Sequence, residues 1–102
     1  MAKFLIEVPH EAETLACARV VKVFLESGSH FLTHAEWGCM DGVHSAWILV
    51  EVNNKAEAMA IVPAPMRPQT RIVRVHQFKL DDIERTLRQH QPSREPGDAT
   101  RG

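Results

Sequence analysis

The chain has 102 residues, enough for one domain, since domains typically run ~100–150 residues. Its 44% hydrophobic and 25% charged residues suit a folded protein and argue against disorder over most of its length. Twelve Lys+Arg against thirteen Asp+Glu give a formal charge of -1, so no net positive field attracts a phosphate backbone, and no apolar run approaches the ~20 residues of a membrane span. The first residues also lack the long hydrophobic stretch of a signal peptide, so the expected compartment is cytoplasmic, without nucleic-acid or membrane partners.

Lys3 to Val8 reads as a strand closed by Pro9, which cannot donate to a ladder. Ala12, Leu15, Ala16, Val20, Val23 and Phe24 then recur at three- and four-residue steps, predicting an amphipathic helix that Gly28 stops. His30–Met40 and Val43–Asn53 are extended runs around Asp41-Gly42, a hairpin signal because a type I′ turn needs positive φ at both central residues. Lys55 to Val62 is a short helix ended by Pro63, and the Pro63–Pro68 segment is a stiff connection. Thr70 to Lys79 is the last strand and Leu80 to His90 a terminal helix; residues 91–102, rich in Pro, Gly and charge, are expected to be a disordered tail. Residues 1–90 thus form one α+β domain with the ferredoxin-like order βαββαβ plus a C-terminal helix, both inner helices covering one face of a four-stranded antiparallel sheet.

A two-residue loop would pair Cys39 with His44, Trp37 with Ala46 and Ala35 with Ile48. Alternation then assigns Trp37, Ala46, Ile48, Val50, Phe4, Ile6, Val8, Val73 and Val75 to the core under the helices. The opposite face receives Leu5, Glu7, His34, Glu36, Trp47, Leu49, Ile72, Arg74, His76 and Phe78. That face is too apolar to sit bare in water and too rich in titratable groups for an ordinary core. Two such sheets packed across a dimer axis would satisfy both requirements; a terminal helix folded over the face of a monomer is the alternative.

The stretch Trp37-Gly38-Cys39-Met40-Asp41-Gly42, then Ala46 to Val52, Lys55-Ala56-Glu57-Ala58, a Pro-rich loop and Arg71 to Val75 resembles the dimeric α+β barrel superfamily. Over residues 3–79 it is similar to small uncharacterised families of that superfamily, and more distantly to muconolactone isomerase-like and YCII-like proteins. The resemblance implies a ferredoxin-like subunit, homodimerisation and a ligand pocket at the sheet; no catalytic residue transfers with it.

Glu7 and His76 are expected as cross-strand neighbours, a carboxylate orienting an imidazole for general acid/base work. Arg74 would hold an anionic ligand through paired hydrogen bonds, with His34, Glu36 and Trp47 completing the ligand-binding face; interface salt bridges are the plainer account of the same charges. His30 and His34, on a strand, would lie ~13 Å apart and share no ion. Cys39 opposite His44 supplies two ligands of a metal, with His10 or a partner subunit as a source of the third, though exposed hairpin-tip polar residues are the plainer account. Cys17, among Ala16, Ala18, Val20 and Val21, reads as a small buried hydrophobe, and no disulfide with Cys39 is expected in a reducing compartment. RNA binding is excluded, because the equivalent face carries Glu7, Glu36 and Glu51 and no Arg/Lys-Gly-aromatic signature. The sequence therefore predicts a homodimer that binds a small organic, anionic ligand, with a cofactor-free acid/base activity of His76 and Glu7 as its enzymatic form. The alternative is a non-enzymatic accessory or metal-binding protein using Cys39 and His44.

Overall fold

In a computed structural model, residues 1–90 are described; the tail expected at 91–102 lies outside them. Four strands, β1 (Ala2–Pro9), β2 (Glu36–Trp37), β3 (Ser45–Val52) and β4 (Arg71–Val75), form one antiparallel sheet in the order β2-β3-β1-β4. This α+β topology is consistent with a ferredoxin-like subunit. Helices α1 (Thr14–Glu26), α2 (His30–Thr33), α3 (Lys55–Ile61) and α4 (Leu80–Gln89) fill the connections and the C-terminal end. No helix among the described residues is long and apolar enough to cross a membrane.

Strict alternation in β1 and β3 builds the core. Phe4, Ile6 and Val8 lie opposite Val50, Ile48 and Ala46, all buried, and Phe24 of α1, Ala58 of α3 and Val62 close over them. Each large apolar side chain so buried contributes roughly 1.5–3 kcal/mol. The inward stripe of α1 runs through the half-buried Ala16, Cys17, Val20 and Val21 and the buried Phe24, rotated from the expected one, and leaves Leu15 and Val23 exposed. Glu13 caps α1 by accepting from the Ala16 N–H (3.3 Å), and beyond its end Gly28 takes φ +74°, as the stop signal requires.

Three expectations are corrected. The strand expected over His30–Met40 shrinks to Glu36–Trp37, because Ser29 accepts from the Leu32 N–H and Thr33 bonds back to the Ser29 carbonyl, capping a helical turn instead. The type I′ turn is replaced by a 3-10 turn over Cys39–Asp41 in which only Gly42 has positive φ, yet Trp37 still pairs with Ala46. In β4, Ile72 faces Ile6 and Arg74 faces Phe4, so these two point to the helical side and Val73 and Val75 to the open face, the reverse of the expected phase. Helix α4 buries none of its residues, and on the open face Leu49 stays 60% exposed and Val73 42% exposed.

Candidate metal centre

Where β1 and β3 leave the sheet, the ladder runs one step further: the His10 N–H donates to the His44 carbonyl (3.0 Å). That bond sets the two imidazoles side by side, ring centroids 5.7 Å apart and edge-on. Just before β3, the 3-10 turn delivers Cys39, held by hydrogen bonds from the Asp41 and Val43 N–H groups to the Gly38 carbonyl, both 3.0 Å. From above, the first turns of α1 bring Cys17 on the helix's inner face. Four segments thus converge two imidazoles and two thiols.

One potential ligand atom from each of His10, Cys17, Cys39 and His44 lies within 4.8 Å of every other. Cys39 Sγ is 2.8 Å from Cys17 Sγ and 3.2 Å from His10 Nε2. Tetrahedral zinc with arms of ~2.0–2.3 Å has ligand–ligand edges of roughly 3.3–3.8 Å, so small side-chain adjustments, the sulfurs parting by about 1 Å, would seat it. All four residues are half-buried, and Nδ1 of both His10 and His44 is buried without a hydrogen-bond partner. Burial, then the neighbouring His44, lowers the His10 pKa, while burial, then the hydrogen bond with Cys17, raises that of the Cys39 thiol. Both shifts favour uncharged donors, and a bound cation would invert that preference for sulfur. Trp37 backs the cluster, its ring 5.9 Å from His10 and 5.0 Å from Phe24. On the other side a cleft of about 700 Å³, edged by Glu13, Met40 and the side chains of Cys17, Cys39 and His44, opens to solvent.

The residues expected to act on the sheet face are dispersed. Glu7 lies on the open face opposite Trp47 and Arg71, 3.6 Å from Arg71 Nε and accepting from Ser45 Oγ (3.3 Å). His76 follows β4 beyond Val75, which pairs with Lys3, so it sits level with Ala2 at the far end of β1, ~17 Å along the strand from Glu7. The expected Glu7–His76 neighbourhood is therefore not formed, the reversed phase of β4 being the cause. Arg74 and His76 instead edge a separate surface recess. His34 caps α2, its Nδ1 2.7 Å from the His30 carbonyl, and its ring packs 4.3 Å from that of His30, a helical pair rather than the separated strand pair expected. Glu36 is exposed opposite Trp47, whose indole lies across Gly38.

Cys39 with His44, and His10 as a candidate third donor, were legible in the sequence only as an alternative metal-binding set; Cys17 was not among them. It reads as a small buried hydrophobe but is only half-buried on the inner side of α1, where its sulfur meets Cys39 across 22 residues of chain. The remaining signal was simply that it is the other of only two cysteines. No protein-family model, curated protein or solved structure matches the chain.

Proposed function

We propose that the protein is a zinc-binding module, with His10, Cys17, Cys39 and His44 as a tetrahedral Cys₂His₂ ligand set. The observation that carries this reading is the convergence of two thiols and two imidazoles whose potential ligand atoms all lie within 4.8 Å of one another in a half-buried cluster. A disulfide alone would account for the sulfurs and leave both rings unexplained. A d¹⁰ ion of borderline softness suits mixed sulfur and nitrogen donors, and four protein ligands make a closed, structural site rather than a hydrolytic one. The zinc would tie the ends of β1 and β3, the β2–β3 turn and the start of α1 together, so its binding energy adds to folding. At free zinc about 100-fold above Kd the gain is ~2.7 kcal/mol, or roughly 10–20 °C in Tm for a domain of this size. Purified full-length chain should carry one zinc by elemental analysis, show thiolate-to-metal absorption after cobalt substitution, and lose both in Cys39→Ser and His10→Ala. Chain produced in zinc-supplemented medium without stoichiometric metal or a cobalt spectrum refutes the reading.

A second reading concerns the open sheet face, which we propose as a homodimer interface of the α+β-barrel kind, with room for a small ligand between the sheets. Its support is the exposure of Leu49 and Val73 together with self-complementary charge. Cross-strand register aligns Glu36, Trp47, Glu7 and Arg71 in one row and Glu51, Lys3 and Val75 in another. A two-fold axis parallel to the strands would lay Glu36 over Arg71, Glu51 over Lys3 and Leu49 over Leu5 of a second copy. Light scattering should give a dimer that Leu49→Lys converts to monomer with zinc content unchanged; a wild-type monomer at micromolar concentration rejects the interface.

A further inference from the structure

We infer that Cys17 and Cys39 form a peroxide-sensitive redox switch that ejects the zinc by closing a disulfide. The inference rests on the zinc reading and adds its regulation. Cys17 Sγ and Cys39 Sγ stand 2.8 Å apart without being bonded, between the ~2.05 Å of a disulfide and the ~3.8 Å of two sulfurs on one zinc. The same side chains therefore reach both states through small motions. The two sulfurs, with His44 beside them, are also open to an oxidant from solvent. Both border the 700 Å³ cleft, whereas His10 does not, so a molecule the size of hydrogen peroxide reaches sulfur without unfolding the domain.

The chemistry balances with hydrogen peroxide as oxidant. One sulfur attacks a peroxide oxygen, the O–O bond breaks, and a sulfenic acid forms as hydroxide leaves. The second thiolate attacks that sulfur and expels a second hydroxide, leaving the Cys17–Cys39 disulfide. Two electrons pass from the sulfur pair to peroxide, two protons from solvent complete two waters, and the zinc ion departs. A disulfide no longer offers thiolate ligands, and two imidazoles are an incomplete zinc shell. Losing an outer partner of a metal ligand alone costs ~10–100-fold in affinity, so losing two ligands should cost more than ~100-fold. A dithiol reductant would restore both thiols and the site.

The test uses full-length chain loaded with one zinc, treated with one equivalent of hydrogen peroxide and followed with a chromogenic zinc chelator and intact mass. The expected result is release of nearly all the zinc with loss of two hydrogens, a peptide map joining Cys17 to Cys39, and recovery of binding after reduction. Zinc-loaded chain that keeps its metal, or releases it only with added sulfinic or sulfonic oxygens and no cross-link, overturns the switch and leaves the zinc site standing. Chain that never takes up zinc yet closes the disulfide overturns the zinc reading, and with it the ejection proposed here.

Discussion

Gly38 is the position where one methyl group should damage both the fold and the metal centre. Its φ of -99° suits any residue, so the constraint is space rather than backbone conformation. A Cβ built there would sit 2.7 Å from Trp47 Cζ3, 3.0 Å from Trp47 Cη2 and 2.7 Å from the Val43 carbonyl oxygen. The indole is half-buried and can swing outward, but the carbonyl belongs to the backbone that leads into His44. Gly38 is also pinned by its N–H to the Ser45 carbonyl (3.1 Å), and its own carbonyl accepts from Asp41 and Val43. Relieving the overlap therefore means moving the turn that holds Cys39 relative to the strand that holds His44. Overpacking of this kind costs about 1–3 kcal/mol, which for a domain of this size lowers Tm by roughly 4–20 °C. Thermal melts of metal-free Gly38→Ala should show that loss, and chelator competition should show weakened zinc binding. In a Trp47→Leu background the melting penalty of Gly38→Ala should shrink, because the indole overlap is gone, while the zinc penalty should persist because the Val43 overlap remains. A Gly38→Ala protein with wild-type Tm and wild-type zinc affinity refutes the argument.

Three further outcomes follow from the packing and the caps. Phe24, fully buried between α1 and the sheet and 5.0 Å from Trp37, should cost about 3–5 kcal/mol on truncation to Ala, read by denaturant midpoint with unchanged slope. Asn54 caps α3 by accepting from the Glu57 N–H (2.9 Å), so Asn54→Ala should cost ~1 kcal/mol by thermal melt. Glu57 answers by accepting from the Asn53 N–H (2.9 Å) and then from the Asn53 side chain (3.2 Å), and these bonds hold its carboxyl below the usual carboxylate range. A depressed folded-state pKa means the stabilisation is present above the unfolded value and fades as pH falls through the folded one. The Tm gap between wild type and Glu57→Gln should therefore close on acidification; a gap that widens in acid rejects the assignment.

How far the sequence carried depended on how local each signal was. Alternation in Phe4–Val8 and Ala46–Val50 is strict, so two central strands and their buried faces were readable outright. The Trp37–Ala46 register survived a wrong turn type because the longer connection that replaces the two-residue loop stays centred on Asp41-Gly42. The last strand was misphased because Ile72, Val73 and Val75 place apolar groups on both faces, leaving period-2 reasoning no preference; pairing against Ile6 decides it. With that phase went the expected meeting of Glu7 and His76. His30 to Thr33 misled for the opposite reason, a β-like run overruled by the Ser29 cap.

The candidate metal centre was half legible for a structural reason. Cys39 and His44 flank one turn, so their meeting needs only a hairpin, whereas Cys17 and His10 stand 22 and 29 residues from Cys39 and meet it only once the sheet order is set. The centre also lies where the sheet is thinly paired. Strand β2 contributes only two residues to the ladder, and past Trp37 and Val8 the contacts holding the turn are polar ones. A cation that recruited both rings and both sulfurs would turn that thinly paired corner into a cross-link among four parts of the chain. That is why the four donors are more economically explained as one site than as four separately tolerated side chains.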